Sequence, residues 1–500
     1  MTLLELLHGA EVLAHRGNPQ VAGIAYDSRQ MKPGYAFVSI RGGHSDGNEF
    51  IPQAIAAGAS AIVTDTGDIP ENIAWAQVRD ARRALAVMSG NFFGHPASKL
   101  ALSGITGTNG KTTTAFLLES ILLAAGRKTA LIGTIEYHIV GKTLSAPHTT
   151  PESLQLQQLF GQAVAAHATE TVMEVSSHAL AQQRTFGIPF DVAIFTNLTQ
   201  DHLDYHGTMA EYFSAKQLLF FGHDGMVPRI AVLNLDDPYG RELLRLCQSR
   251  GVETLTYGLS NGDFRSGNVA INSRGTHFDV VSSHGTMPVN SPLIGRVNVY
   301  NILAAVTAGH ARGCDVQAIQ AGVNNLHAVP GRFERVDCNQ PFTVVVDYAH
   351  THDALRNLTA LAREFVAPAN GRVITVFGCG GDRDRAKRPL MGEAAGRGSD
   401  LVILTSDNPR SEDPFAIIND AVVGLQRAGA TYKVEADRRA AVLRSIQEAR
   451  PGDIVLIAGK GHEKVQITKT GAVPFDDKAA ATTALQELGY ECRAAAGKST

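Results

Sequence analysis

LALSGITGTNGKTT, residues 100–113, is the stretch on which the fold turns. Leu100 to Ser103 reads as a buried strand, Gly104 to Thr113 as a loop, and Thr114 to Ala125 as a helix closed by Gly126. That is the strand, phosphate loop and helix order of an α/β nucleotide-binding unit. Glycine lets backbone N–H groups converge on phosphate oxygens, and the N-terminus of the following helix adds its positive end. Lys111 supplies a cation, and Thr112 a hydroxyl within reach of a magnesium ion. The match to the GxxxxGK(S/T) pattern is imperfect, because Ile105 stands where the first glycine belongs, flanked by Gly104 and Gly107. A glycine-rich turn without nucleotide is the competing reading, but an ordinary turn has little use for Gly-Lys-Thr-Thr at a helix start.

The same rhythm runs outward in both directions. Short apolar runs at Ala61–Val63, Val192–Phe195, Val344–Val346, Val373–Phe377, Leu401–Leu404 and Ile454–Ala458 alternate with helical patterns, which makes the whole chain α/β. At 500 residues it exceeds the roughly 250–300 residues of a single core, so two or three domains are expected. The turn-rich stretches Gly94–Ser98 and Val329–Gly331 mark boundaries, giving units at 1–96, 97–330 and 331–500. In the last unit four strands run into polar or glycine-rich turns, Asp347–His350, Gly378–Asp382, Ser406–Arg410 and Gly459–Glu463. Ligands of open α/β sheets bind outside the carboxyl ends of strands, so one cleft lined by all four turns is expected.

Hydrophobic residues make up 44% of the chain and charged residues 19%, a balance that suits packed cores and excludes disordered, collagen-like and coiled-coil chains. A net charge of −3 offers no global field for nucleic acid or anionic lipid, so an anionic ligand must be held locally. No stretch approaches the roughly 20 apolar residues of a membrane span and the N-terminus shows no signal pattern, which points to a soluble, cytoplasmic protein. The five cysteines lack CxxC spacing, favouring reduced thiols over a disulfide frame. Internal repeats are absent, and only the tail Arg493–Thr500 looks frayed.

Glu174 ends the strand-like Thr171-Val-Met, and His202 follows Thr199-Gln-Asp. A carboxylate and an imidazole beside a triphosphate are candidate magnesium ligands, while a helix N-terminal carboxylate and a capping histidine are equally open readings of the two residues alone. Lys216, in a helical pattern from Glu211, reads by itself as an exposed lysine, and Asp27-Ser28-Arg29 as an ordinary turn.

Thr106–Thr113 resembles the ATP loop of the Mur ligases, the amide-forming enzymes that build the peptidoglycan stem peptide. Met173–Leu180 with Gln182 and Arg184, Thr196–Asp204, Gly331–Arg335, Asp347–His350, Phe377–Asp384 and Asp407–Arg410 are similar, in the same order, to the branch of that family that adds the third residue. The resemblance implies three domains: one for the UDP end of the substrate, a central P-loop ATPase, and a dinucleotide-fold-like C-terminal domain for the incoming amino acid. The implied reaction joins meso-2,6-diaminopimelate to the D-glutamate γ-carboxylate of UDP-N-acetylmuramoyl-L-alanyl-D-glutamate through an acyl phosphate. It implies ATP and Mg2+ as cofactors and a monomer with no nucleic-acid partner and no membrane insertion.

Residue by residue, the resemblance implies that Gly107, Thr108, Asn109, Gly110, Lys111, Thr112 and Thr113 hold the nucleotide, that Asn301 lies near the adenine, and that Arg332, Asp347 and His350 reach the nucleotide across a domain gap. Thr112 and Glu174 hold one magnesium ion and His202 helps hold a second, with Lys216 carried as a carbamate; Lys111, Glu174, His202 and Lys216 form the catalytic set. Tyr26, Ser28, Gly43, His44 and Ser45 match the uridine and diphosphate site, and Thr149, Thr150, Ser176, Gln182 and Arg184 the muramoyl dipeptide site. Asp407, Asn408, Pro409 and Arg410, with Arg383, Gly459 and Glu463, match the diaminopimelate site, where a planar guanidinium accepts the second carboxylate through two parallel hydrogen bonds. Two departures stand out: His148 where Asn is expected, and His352 where Pro is expected. The lysine-adding ligases and folylpolyglutamate synthetase are the nearest rivals, against which Asp407–Arg410 argues. A P-loop motor or switch is the rival from another class, disfavoured by the absence of a basic face.

Overall fold

The structure, a computed structural model, describes residues 1–42, 46–66, 72–272, 275–367 and 370–492. Gly43, His44, Ser45 and the tail Arg493–Thr500 therefore lie outside the described residues. Strand Ala101–Thr106 runs inside an eleven-stranded sheet, flanked in parallel by Glu170–Glu174 and Val192–Phe195. All three are covered on both faces, which suits the unbroken apolar run Val192–Phe195 of one and the absence of apolar/polar alternation in the other two. From Thr106 the chain passes through helix Lys111–Ala124 to strand Thr129–Ile132, then returns through helix Ser153–Ala165 to place Glu170–Glu174 between those two strands. The next strand, Val192–Phe195, falls on the other side of Ala101–Thr106. Strand order reverses at this point, and such a reversal opens a crevice at the carboxyl ends of the strands.

Helix Lys111–Ala124 starts three residues before the sequence-based expectation of Thr114, because Gly110 takes the N-cap position with φ +88° and carries Lys111 directly into the first turn. Its far end is as expected, with Gly126 left-handed. The helix is buried between the sheet and helices Arg296–Ala311 and Val316–Asn325.

The first sheet contains five strands between Val12 and Val78. The last contains six between Glu334 and Ala458, in the order Glu334–Val336, Thr343–Asp347, Ile454–Ala458, Val373–Phe377, Leu401–Leu404, Tyr432–Val434. The five from Thr343–Asp347 onward are mutually parallel, so the four turns noted in the sequence leave one edge of the sheet. A hairpin, Val465–Thr468 with Gly471–Pro474, is tied to that edge through Arg410 N–H donating to Ile467 O at 3.0 Å.

The expectation of five reduced thiols fails for two of them. Cys338 and Cys492 form a disulfide across 154 residues of chain, while Cys247, Cys314 and Cys379 are free and buried. The pairing depends on the C-terminal segment packing back beside the first strands of the last sheet, which cysteine spacing cannot reveal. Among the described residues no helix is long and apolar enough to cross a membrane.

The phosphate-loop helix also carries a buried carboxylate, Glu119, that pairs with His138 Nδ1 at 2.7 Å while Glu136 pairs with Nε2 at 2.9 Å. Burial by itself would lower the His138 pKa, but the hydrogen bonds and charges of Glu119 and then Glu136 outweigh it and raise the value to about 9. A pKa raised on folding contributes stability that is complete below the ordinary 6.5 and is lost as pH rises through about 9. An NMR titration should find His138 near that raised value, and Glu119→Gln should lower it by at least about one unit. A parent histidine titrating near 6.5 would refute the clamp.

Candidate active site

The phosphate loop is laced to the segment that follows strand Val192–Phe195. Thr196 Oγ1 donates to Asn109 O at 2.7 Å, Asn109 N–H donates to Asn197 Oδ1 at 2.9 Å, and Thr199 N–H donates to Thr108 Oγ1 at 3.0 Å. Gly107 lies at φ +151°, and a Cβ there would stand 1.8 Å from Thr196 Oγ1. The lacing therefore requires glycine at this position, on space as well as conformation. Asn301 is packed on the loop itself, its Oδ1 2.4 Å from where a Gly110 Cβ would stand.

Glu174 is 1% exposed at the end of its strand and is surrounded by donors. Thr112 Oγ1 donates to its Oε2 at 2.9 Å, and Thr134 donates through N–H to Oε1 at 2.8 Å and through Oγ1 to Oε2 at 2.9 Å. Thr149 shares a hydroxyl contact with Thr134 at 3.1 Å, and Arg332 donates to Thr112 Oγ1 at 3.2 Å. Among the described residues no group of three His, Cys, Asp or Glu side chains could enclose a metal. A threonine hydroxyl with one carboxylate fits instead the chemistry of a magnesium ion, which keeps most of its positions for phosphate oxygens and water.

His202 sits at the N-cap of helix Leu203–His206 with φ +55°, and its side chain makes no capping bond, which disposes of the capping reading. Its Nε2 lies 3.4 Å from Asp201 Oδ2, and its ring stands edge-on to His178 with centroids 4.7 Å apart. Burial lowers the His202 pKa against the opposing pull of Asp201.

Lys216 is 1% exposed, which overturns the exposed-lysine reading: helix Met209–Phe221 turns that face inward, and Lys216 Nζ lies over the Tyr212 ring at 4.5 Å. Lys216 Nζ donates to Gly107 O at 2.8 Å, and Lys111 Nζ donates to the same oxygen at 2.9 Å and to Thr108 O at 3.0 Å. Burial drives the Lys216 pKa far down and the charge of Lys111 pushes it further; burial likewise lowers Lys111, with Glu174 and Asp201 opposing. Two cations on one carbonyl oxygen are mutually unfavourable, so the arrangement favours a neutral Lys216 amine.

The last sheet's unit reaches this crevice at several points. His350 Nε2 and Lys387 Nζ approach Asp201 at 3.9 and 3.7 Å, and Asn109 Nδ2 donates to Asp353 Oδ2 at 3.3 Å. Burial would raise the Asp201 pKa, but His202, His350 and Lys387 together hold it well below the usual carboxylate range. Asp347, expected at the nucleotide, instead accepts the N–H groups of Phe333 at 2.7 Å and Ala349 at 2.8 Å, so it shapes the turns that present Arg332 and His350. His352 occupies the first position of helix His352–Val366 behind the Thr351 N-cap, a position proline favours because no helical N–H is required there. Asp201, Lys387 and Asp353 were not singled out from sequence. The Asp-His pair at 201–202 was the available signal for the first; for the other two there was none.

Thr150, Ser176, Gln182 and Arg184 converge. Thr150 Oγ1 donates to Glu174 O at 2.9 Å, Ser176 N–H donates to Thr150 Oγ1 at 3.1 Å, and Arg184 donates to Thr150 O at 2.8 Å and Gln182 Oε1 at 2.7 Å. Arg184 also pairs with Glu152 at 3.0 Å, which pairs in turn with Arg82 of the first unit at 3.4 Å. Tyr26 joins this group by donating to Gln155 Oε1 at 3.1 Å, whereas Ser28 turns away to Gln53 Oε1 at 3.2 Å. His148 contributes its carbonyl, accepting from Tyr137 at 2.5 Å.

At the edge of the last sheet Arg410 is half-buried and held at φ +52°, donating to Gly381 O at 2.7 Å. Among the described residues no carboxylate stands within ion-pair distance of it. Burial and then the charge of Arg383 lower its pKa. Asn408 Nδ2 donates to Glu463 Oε2 at 2.9 Å, and buried Lys460 bonds both residues. Gly459, at φ +115°, leaves room for Asp407, whose Oδ2 stands 2.8 Å from where a Cβ would be. Pro409 accepts the Glu412 N–H at 3.1 Å. His202, Phe333, Asp382 and Arg410 are all non-glycine residues with positive φ, and such backbone strain gathers at functional sites.

Family models match three stretches of the chain: the Mur ligase family catalytic domain over residues 20–92, the Mur ligase middle domain over 105–309, and the Mur ligase glutamate ligase domain over 331–461. The UDP-N-acetylmuramoyl-L-alanyl-D-glutamate–2,6-diaminopimelate ligase of Solibacter usitatus is 53% identical over 473 residues, 94% of each chain. That of Geobacillus thermodenitrificans is 45% identical over 97% of this chain and 99% of its own. A solved structure of a ligase of that name superposes with TM-score 0.68 at 34% identity, covering 98% of this chain and 99% of its own. The MurF structure from Acinetobacter baumannii shares the fold at 19% identity, with TM-score 0.65 over 94% of this chain and 96% of its own.

The cradle around Glu174 can be tested without touching a ligand atom. A Cβ at Gly133 would lie 2.6 Å from Glu174 Oε1, so Gly133→Ala should displace the carboxylate. Calorimetry should show magnesium-dependent nucleotide binding weakened by about 10- to 100-fold with the melting temperature little changed. Undiminished affinity would place the ion elsewhere.

Proposed function

The chain belongs to the Mur ligase family, and from that premise we propose that it joins 2,6-diaminopimelate to UDP-N-acetylmuramoyl-L-alanyl-D-glutamate in an ATP-dependent, amide-forming step of peptidoglycan assembly. The observation that carries the choice of amino acid is Arg410, a half-buried guanidinium with no carboxylate partner among the described residues, within the electrostatic reach of Glu463. Diaminopimelate differs from lysine by a second carboxylate, which a planar guanidinium accepts bidentately. Lysine would leave that cation facing no anion. We take residues 1–96, 97–330 and 331–500 as the three working units of a cytoplasmic monomer, and the meso isomer as substrate.

In this reading the amides of residues 107–113 and the Lys111 amine cradle the ATP phosphates, and Arg332 reaches the terminal one across the cleft. Thr112 and Glu174 would hold one magnesium ion, with His202 and carbamylated Lys216 serving a second, and bound there the ions would neutralise charge developing on the transferring phosphoryl group. Thr150, Ser176, Gln182 and Arg184 hold the dipeptide so that the D-glutamate γ-carboxylate faces the γ-phosphorus. Its attack gives an acyl phosphate and ADP; the incoming amine then displaces phosphate, forming the amide and losing a proton. No protein nucleophile is required, so the chain works by positioning and charge stabilisation.

The surroundings of Lys216 support carbamylation there. A neutral amine adds to CO2 and releases one proton, leaving an anion where a second ammonium beside Lys111 would be unfavourable. Lys216→Ala should abolish ligation while the fold persists, and a short carboxylic acid supplied in trans should restore part of the rate. A crystal structure of active enzyme with a free Lys216 amine would overturn the assignment.

Phosphate release measured with the UDP-muramoyl dipeptide and either diaminopimelate or L-lysine tests the specificity. The parent should favour diaminopimelate by on the order of 10⁴-fold in kcat/KM, as polar sites do against ligands lacking their partner group, and Arg410→Ala should erase most of that ratio. A parent that preferred lysine, or an Arg410→Ala enzyme as selective as the parent, would defeat the proposal.

A further inference from the structure

A buried cation behind the amino-acid pocket has no part in the reaction described above. Lys460 is 0% exposed, yet it lies in the turn after strand Ile454–Ala458, between Gly459 and Gly461. Its Nζ donates to Glu463 Oε2 at 2.7 Å and to Asn408 Oδ1 at 2.9 Å, and lies 3.7 Å from Asp407 Oδ1. Asn408 Nδ2 donates to the same Glu463 oxygen at 2.9 Å, and its Oδ1 also accepts the Ile467 N–H at 2.9 Å. Both donors engage Oε2, which leaves Glu463 Oε1 without a donor among the described residues.

Resting on the reading of this cleft as the diaminopimelate site, we propose that Lys460 is a specificity-positioning residue that holds Glu463 as an ammonium reader apart from Arg410, the carboxylate reader, so that the pocket recognises a zwitterionic end group. The far end of diaminopimelate carries one ammonium and one carboxylate on a single carbon. A pocket for such a group needs an anion and a cation close together but not paired with each other. Asp407 and Glu463 both act electrostatically on Arg410, so a carboxylate released from Lys460 would be drawn to the guanidinium, and the pocket would close on itself. The nearby acid Asp477 is already matched by Arg438, with both side chains 0% exposed, which leaves Lys460 as the cation that balances Glu463.

The test is a double-mutant cycle on the full enzyme. Lys460→Met should raise the KM for diaminopimelate about 10-fold or more, with kcat and the KM for ATP near the parent values, because it removes a binding contact and not a transition-state one. In a Glu463→Gln background the same substitution should change that KM by less than about 2-fold, since residues acting through one another are not additive. Should Lys460→Met fail to fold, Lys460→Gln, which keeps a donor for Asn408 without the charge, carries the same comparison. An unchanged KM, a KM for ATP that moves in parallel, or a full-sized effect in the Glu463→Gln background would each overturn the proposal. The parent's preference between diaminopimelate and L-lysine, measured alongside, tests the function itself. The non-additivity tests Lys460 for whichever amino acid the parent uses.

Discussion

One carbonyl oxygen, that of Gly107, accepts hydrogen bonds from two lysines, Lys111 at 2.9 Å and Lys216 at 2.8 Å. Around this contact the central crevice is organised by charge. The lysines come from the first turn of the phosphate-loop helix and from a helix a hundred residues later, and both lose solvation by being there. Low dielectric makes their mutual repulsion stronger than it would be at the surface, so the site has a standing demand for anions. Within the chain Glu174 and Asp201 answer that demand, acting on Lys111 together and on Lys216 through Asp201. The conformation of Gly107, pressed against Thr196, is what turns its carbonyl towards both amines.

The same demand explains how the last unit is engaged. Asp201 is a buried anion that gathers His202 from its own unit and His350 and Lys387 from the other. Arg332, presented by turns that Asp347 ties down, donates to Thr112 beside Glu174. The two units therefore meet through ion pairs and single hydrogen bonds around the crevice. A polar junction of this kind suits closure over a ligand better than a sealed apolar interface would.

The cleft at Arg410 is built on a different plan, with turns leaving adjacent parallel strands. Gly378–Asp382, Ser406–Arg410 and Gly459–Glu463 come together because their strands share direction and lie side by side. Left-handed backbone at Asp382 and Arg410 turns the chain sharply at the strand ends. Gly381 N–H donating to Asn408 O at 2.9 Å joins two of the turns, while Arg388, 1% exposed, grips Glu412 and Asp420 to brace them from behind. This bracing gives a half-buried guanidinium a fixed place.

The sequence alone determined the α/β class, six further strands spread over the three large sheets, and the loop's lysine and threonine, because each rests on residues adjacent in the chain: an apolar run, a glycine spacing, a helix start. The strand ending at Glu174 put that carboxylate within reach of the phosphate loop, while its pairing with Thr112 came from the resemblance to the Mur ligases. Only the tertiary structure decided that Lys216 is buried, that Asp201 and Lys387 face each other across 186 residues of sequence, that Lys460 stands behind Glu463, and that Cys338 meets Cys492. Burial and pairing are properties of how helices and sheets pack, and a lysine in a helical pattern has the same local signature whether its face meets water or a carbonyl oxygen. The chemistry of single residues was legible from their neighbours in sequence, whereas their charge state and partners depended on neighbours in space.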